Sequence, residues 1–227
     1  MSSGIALGYI NDVERTEIVP ILRGVSHQWA FWCALAAAVS LVALAPPGTA
    51  RAAALIYGAG LCAMLAASAL YHRWDCSLRV RSVLCRIDHG AIYLFVAASY
   101  TPVGLIVLDG TLGWVVLGTV WAGALAGVTL SVAWITAPRV LFALTYLGLG
   151  WVMVIAAPRL VGELDVAPLV LFAAGGLLYS AGAVVYALQR PDPWPRTFGF
   201  HEIFHALVIA AAVTHFVAIA GWVILAS

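Results

Sequence analysis

The 227-residue chain is 64% hydrophobic and 9% charged, with a formal net charge of +1; soluble domains run at roughly 45–50% and 25%. Together with a mean hydropathy of +1.03, this leaves too few polar side chains to cover a water-facing surface, which excludes a soluble globular fold and a disordered chain. The near-zero net charge offers no basic field for phosphates and excludes a nucleic-acid partner.

Only helices and closed barrels satisfy every backbone polar group in lipid. The sequence shows unbroken apolar runs of about 20 residues, the length a spanning helix needs, and lacks the alternating segments of about 10 residues that build a barrel. The expected fold is therefore all-α, an integral membrane bundle of seven transmembrane helices at 25–45, 52–71, 88–108, 111–133, 139–157, 166–188 and 200–225. Residues 1–24, with Asp12, Glu14 and Glu17, lack the apolar core of a cleavable signal peptide and read as an N-terminal segment. Residues 25–227 read as a single transmembrane domain.

The breaks between runs have local causes. Ala45-Pro46-Pro47-Gly48 stops the first run, and Arg73 to Arg86 reads as a polar loop after the second. Asp109-Gly110 turns the chain between the third and fourth, and Pro138-Arg139 parts the fourth and fifth. Pro158-Arg159, with Glu163 and Asp165, ends the fifth, and Arg190-Pro191-Asp192-Pro193-Trp194-Pro195-Arg196 precedes the seventh. Pro102 is expected to kink the third span. All 11 basic residues are arginines. Arg15, Arg23, Arg73, Arg79, Arg81, Arg86, Arg139, Arg190 and Arg196 fall on the side of the N-terminus and even-numbered loops, while Arg51 and Arg159 fall on the other. The positive-inside rule makes the first side cytoplasmic, so the N-terminus lies inside and the C-terminus outside. Absent lysine and abundant alanine and arginine point to a GC-rich bacterial source.

Ionisable residues within a span are expensive in lipid and mark function. His72 closes the second run, Asp88 opens the third, and His201 and His205 open the seventh, all on the cytoplasmic side. His201 and His205, four apart, share a helix face, as do Ser68 and His72. Three histidines with an open fourth position form the ligand set of catalytic zinc, although ligand type leaves copper, nickel and iron open. Asp88 and Ser68 could orient a water or substrate oxygen at such an ion; alternatively Asp88 pairs with Arg86 or Arg81. The string His201-Glu202-Ile203-Phe204-His205 spells the HExxH of zinc proteases. At the head of an apolar helix, however, Glu202 is better read as supporting a histidine or pairing with Arg196 than as a base. His27, His89 and His215 are expected to make interhelical hydrogen bonds, and His215, 14 residues past His201, is about 21 Å from any ion held there. Cys33 and Cys62 read as packing residues, and Cys76 and Cys85 as reduced thiols of the second loop.

The segments Ser68-Ala-Leu-Tyr-His72, Asp88-His-Gly-Ala-Ile-Tyr93 through Ser99-Tyr-Thr-Pro102, and Phe198-Gly-Phe-His-Glu-Ile-Phe-His205 with His215-Phe216 carry a resemblance along nearly the whole chain. The sequence resembles the bacterial hemolysin III branch of the progestin and adipoQ receptor family. That family lies within a superfamily of seven-span proteins regarded as membrane-bound metal-dependent hydrolases, which includes alkaline ceramidases. The resemblance implies zinc held by His72, His201 and His205, with Asp88 near its water and Ser68 beside it; the match around His27 is loose and carries no role. It implies a multi-pass cell-membrane protein that hydrolyses an amide or ester of a membrane lipid and serves lipid homeostasis. The alternative is a non-enzymatic sensor or hemolysin-type protein with a structural zinc site. A pore would need a polar stripe along several spans, and none is visible.

Overall fold

The computed structural model describes residues 19–108 and 110–227. Seven helical segments in it are long and apolar enough to cross a membrane: Val25–Leu44, Thr49–Arg73, Leu78–Val107, Gly110–Ala133, Arg139–Glu163, Val166–Leu188 and Phe200–Ile224, called spans one to seven. Among the described residues there is no β-strand, only an isolated bridge between Trp194 and Phe198. Arg15 and Asp109, used above for orientation and for the tight turn, lie outside the described residues, as does most of the segment 1–24. Span four begins directly at Gly110, whose φ of +61° is a left-handed conformation that glycine adopts without strain.

Sequential spans pack in a meander from one to four. Span five packs against six, six against seven, and seven returns to span one, so that the first and last spans are neighbours in the bundle. One apolar cluster, around Tyr93, Val120 and Phe142, joins spans three, four and five. A second, around Tyr57, Leu61 and Ile219, joins spans one, two and seven. The outer faces carry Val39, Leu125, Ile155, Val166 and Leu177, all exposed, as a lipid-facing surface requires. Exposed Trp74, Trp134 and Trp194 mark the arginine-rich face and exposed Trp114 the opposite one, as interfacial belts do.

Small residues set the closest approaches between spans. At Gly127 in span four a Cβ would stand 2.2 Å from Cδ1 and 2.4 Å from Cγ of Tyr93 in span three. That ring is held by a 2.6 Å hydrogen bond from its hydroxyl to Thr145 Oγ1. Because the clash reaches the root of the ring, a rotamer change cannot relieve it. Gly127→Ala is expected to cost about 1–3 kcal/mol, read as a lower unfolding midpoint in detergent; an unchanged midpoint would mean spans three and four separate freely.

The structure corrects two boundaries. Arg73 to Arg86 is not a loop: the third helix starts at Leu78, so Asp88 lies ten residues into it instead of at its mouth, and Cys85 is buried in a span. At 30 residues span three is about 45 Å long, more than the roughly 30 Å hydrocarbon core. Its first turns need no apolar composition because they stand beyond the lipid. There Arg86 donates from Nη1 to the Ser82 carbonyl at 2.9 Å and from Nε to the Val132 carbonyl at 3.1 Å, which leaves Asp88 to other partners. The kink expected at Pro102 takes the form of a wider, π-helical winding over Val103–Val107.

The fifth span does not end at Pro158; it breaks earlier, between Gly150 and Met153, and continues as a helix through Pro158 to Glu163. Tyr100 of span three holds the break: its hydroxyl donates to the Gly150 carbonyl at 2.5 Å and accepts from the Met153 amide at 2.9 Å. One phenol thus satisfies a carbonyl and an amide that lipid could not.

Candidate metal centre

Ser68, His72, Asp88, His201 and His205 come together at the arginine-rich face. His72 ends span two and His201 begins span seven, so antiparallel packing brings the two rings level; their Nε2 atoms lie 3.1 Å apart. His205, one turn deeper, points the same way, its ring centroid 5.1 Å from that of His72 and 4.5 Å from that of His201. One ligand atom from each of the three histidines lies within 4.8 Å of the others, close enough to share one ion. For comparison, ligands at 2.0–2.1 Å from a tetrahedral zinc stand about 3.4 Å apart. His205 is 1% exposed and its Nδ1 is buried without a hydrogen-bond partner. The His72 and His201 Nε2 atoms are within hydrogen-bond distance of one another, and the same spacing would let both reach one shared ion.

Span three supplies Asp88, whose Oδ2 lies 3.9 Å from His72 Nε2. Its side chain is hydrogen-bonded by Ser68, one turn before His72 on span two. The Ser68 oxygen also lies 2.8 Å from Nδ1 of His27. A serine has one proton to give; donated to Asp88, it leaves the oxygen to accept from His27 Nδ1–H. His27 is 2% exposed and stacks on His205 with centroids 3.8 Å apart and rings 11° from parallel. The interhelical bond expected of His27 is present, but its partner is a residue of the cluster, and its ring forms one wall. Gly24, at φ +76°, lets the chain enter span one against His72: a Cβ there would lie 2.6 Å from His72 Cβ.

Glu202 pairs with Arg23, not Arg196. Its Oε1 lies 2.6 Å from Arg23 Nε, while Oε2 accepts from the Gly199 amide at 2.8 Å and closes the first turn of span seven. Arg196 instead meets the N-terminal segment through its backbone: the Ile21 amide donates to the Arg196 carbonyl at 3.0 Å and Leu22 to that of Thr197 at 3.2 Å. These contacts draw Pro20–Gly24 over the mouth of the cluster. The expected partners of Asp88, Arg86 and Arg81, are engaged elsewhere; Arg81 lies over the Tyr71 ring at 5.4 Å.

The cluster opens inward on a cavity of about 400 Å³, lined near it by His27, Ser68, Asp88, His201 and His205 and farther on by apolar side chains of spans three, five, six and seven. His89 lines its edge, with Nδ1 2.9 Å from the Cys85 carbonyl of its own helix and Nε2 3.3 Å from the Tyr186 hydroxyl of span six. His215 lies at the far end, bonded to the Phe172 carbonyl of span six. Both make the interhelical bonds expected of them.

A seven-span, all-helical membrane protein with a partly buried three-histidine cluster at one face is the class that this fold and site define. Residues 16–216 match the family described as haemolysin-III related, and the chain belongs to that family, the hemolysin III branch of the progestin and adipoQ receptor proteins. It is 33% identical over 161 residues to a hemolysin-3 homolog of Bacillus subtilis (strain 168), covering 71% of this chain and 72% of that one. To hemolysin-3 of Bacillus cereus it is 31% identical over 179 residues, 78% of each chain. To the monocyte to macrophage differentiation factor of Homo sapiens it is 30% identical over 170 residues, 73% of this chain and 68% of that one. It is accordingly a multi-pass protein of the cell membrane.

Proposed function

We propose that the protein is a zinc-dependent hydrolase that cleaves an amide or ester of a membrane lipid, whose acyl chain occupies the cavity. The observation that carries this reading is the opening of a partly buried three-histidine cluster, with Asp88 and Ser68 beside it, onto an apolar cavity of about 400 Å³. His72, His201 and His205 would hold the ion, with the arginine-rich face taken as cytoplasmic by the positive-inside rule. A zinc ion on three imidazoles supplies Lewis acidity and brings the pKa of water to about 7.

The chain's own residues do the rest. Asp88 accepts a proton from the attacking water as its oxygen adds to the acyl carbon, then returns that proton to the departing nitrogen or oxygen as the acyl bond breaks. The products are a fatty acid and an amine or alcohol. Ser68 fixes the rotamer of Asp88, and His27 fixes Ser68. The apolar walls hold the acyl chain and exclude bulk water, which strengthens each polar contact at the reacting carbonyl.

One distance favours a second reading. At 3.9 Å from His72 Nε2, Asp88 stands close enough to close the site as a fourth ligand, and closed four-ligand sites are structural. Asp88→Ala separates the two. The hydrolase reading expects metal retained at about one ion per chain and fatty-acid release lost across a panel of ceramides, N-acyl amides and glycerolipids in nanodiscs. The structural reading expects the metal itself to go. Fully zinc-loaded wild type that releases no fatty acid from the panel would overturn the hydrolase.

A further inference from the structure

The residues that line the cavity are not equally covered. Those exposed are Gly150, Trp151, Val154 and Val161 of span five and Ala173 of span six, whereas the lining residues of spans one, two, three and seven, the histidines included, are buried or half-buried. Val154 is 57% exposed and Val161 66%, far more than the wall of an inner cavity presents, so both also face lipid. The four on span five lie at its break or beyond it, toward the face opposite the arginines. The cavity is therefore open on one side only of the bundle's wall, between spans five and six.

The break explains the opening. Up to Gly150 span five packs along span six, but Met153–Glu163 touches it only sparsely. Trp151 bridges the two spans at the head of the gap. Its Nε1 donates to Ser180 Oγ at 3.1 Å, and its ring edge would lie 3.9 Å from a Cβ at Gly176. One turn farther from the arginines on each helix stand Val154 and Ala173, and the gap beyond the indole is walled by apolar side chains. Its depth follows from span seven. His215, ten residues past His205 and so about 15 Å from it, fills the notch at Gly175, where a Cβ would stand 2.2 Å from its Cδ2. Gly175 adjoins Gly176, so the slot begins about 15 Å from the histidines, half of the roughly 30 Å hydrocarbon core.

We infer that the cavity has no end wall for an acyl chain: the carbons nearest the head lie inside the protein, and the tail leaves between spans five and six into the membrane. The inference rests on the reading that the cavity holds an acyl chain. Three chain bonds span at most about 3.6 Å, so a chain lying extended from the histidines reaches the slot after about 12 bonds. Hydrocarbon is the occupant that fits, because the slot is apolar on both walls and opens into a region without water. A carbon beyond the slot exchanges one hydrocarbon surrounding for another and neither gains nor loses by it. The ligand class is therefore long-chain lipids with no upper limit on chain length.

The test uses three saturated fatty acids: lauric acid, which ends at the slot, palmitic acid, which passes it, and lignoceric acid, twice as long as lauric. They are offered at equal mole fraction to the full chain in nanodiscs, and bound acid is measured by native mass spectrometry. Wild type is expected to hold all three within about twofold of one another. Ala173→Trp and Val154→Trp each place an indole in the slot from a position that faces lipid, where bulk is tolerated. Each should keep lauric acid and hold lignoceric acid about tenfold less, the low end of what overpacking costs. A variant that loses lauric acid as well has lost its cavity, and the other is read in its place. Lignoceric acid rejected by wild type while lauric acid is held means an end wall, which overturns the slot and leaves the acyl cavity standing. Lignoceric acid held undiminished by both variants overturns it too, since the tail then leaves elsewhere. If wild type holds none of the three, the acyl-chain reading fails and the slot with it.

Discussion

His205→Ala is expected to reduce zinc in the purified protein from about one ion per chain to trace, because two imidazoles do not complete a three-ligand site. His205 contributes the most buried ring of the cluster and is also the ring against which His27 stacks. Its removal therefore opens a gap between spans one and seven as well. Metal loss and packing loss are separated by chelation. Stripping wild type should lower its unfolding free energy by RT ln(1 + [L]/Kd), about 4 kcal/mol at an ion concentration a thousandfold above Kd. The same treatment should leave His205→Ala unchanged, since it has no ion to lose. His201→Ala should behave alike, whereas His215→Ala, about 15 Å away along span seven, should keep its zinc. Elemental analysis that finds the ion retained in both His201→Ala and His205→Ala would remove these histidines from the ligand set.

The seven spans were legible because hydropathy reports directly on the lipid, the solvent of most of the chain. Their ends on the arginine-rich face were less so. Leu78–Ile87 is helical but stands beyond the hydrocarbon, where a helix needs no apolar pattern, and the run of arginines there reads as a loop. The break in span five was invisible for a different reason. Pro158 is the stronger local breaker, but the chain parts at Gly150–Met153 because Tyr100, from another span, satisfies the groups freed there.

The same division holds at the site. His201 and His205 declare themselves by four-residue spacing, and His72 and Asp88 by their occurrence near one membrane face. His27 to Ser68 spans 41 positions and Arg23 to Glu202 spans 179, and no spacing rule reaches that far. The depth of His27, level with the start of span one, was the one signal available.

Glu202→Ala is expected to destabilise the protein by about 3–5 kcal/mol, the cost of removing one partner of a buried ion pair. The Glu202 side chain is 3% exposed and that of Arg23 14%, so the guanidinium left behind is poorly hydrated. The Gly199 amide loses its acceptor in the same substitution. Glu202→Gln keeps a neutral oxygen for that amide and should cost less, and Arg23→Ala should cost a similar amount by stranding the carboxylate. The double variant Arg23→Ala, Glu202→Ala should be less destabilised than the sum of the singles, since neither charge is then left alone. This pattern is what distinguishes a latch from a general base within the same HExxH string. A base would show Glu202→Gln with wild-type stability, full zinc and no turnover, with Arg23→Ala close to neutral. A latch shows stability falling in step for both partners, because what the pair holds is Pro20–Gly24 against the first turn of span seven, over the histidines.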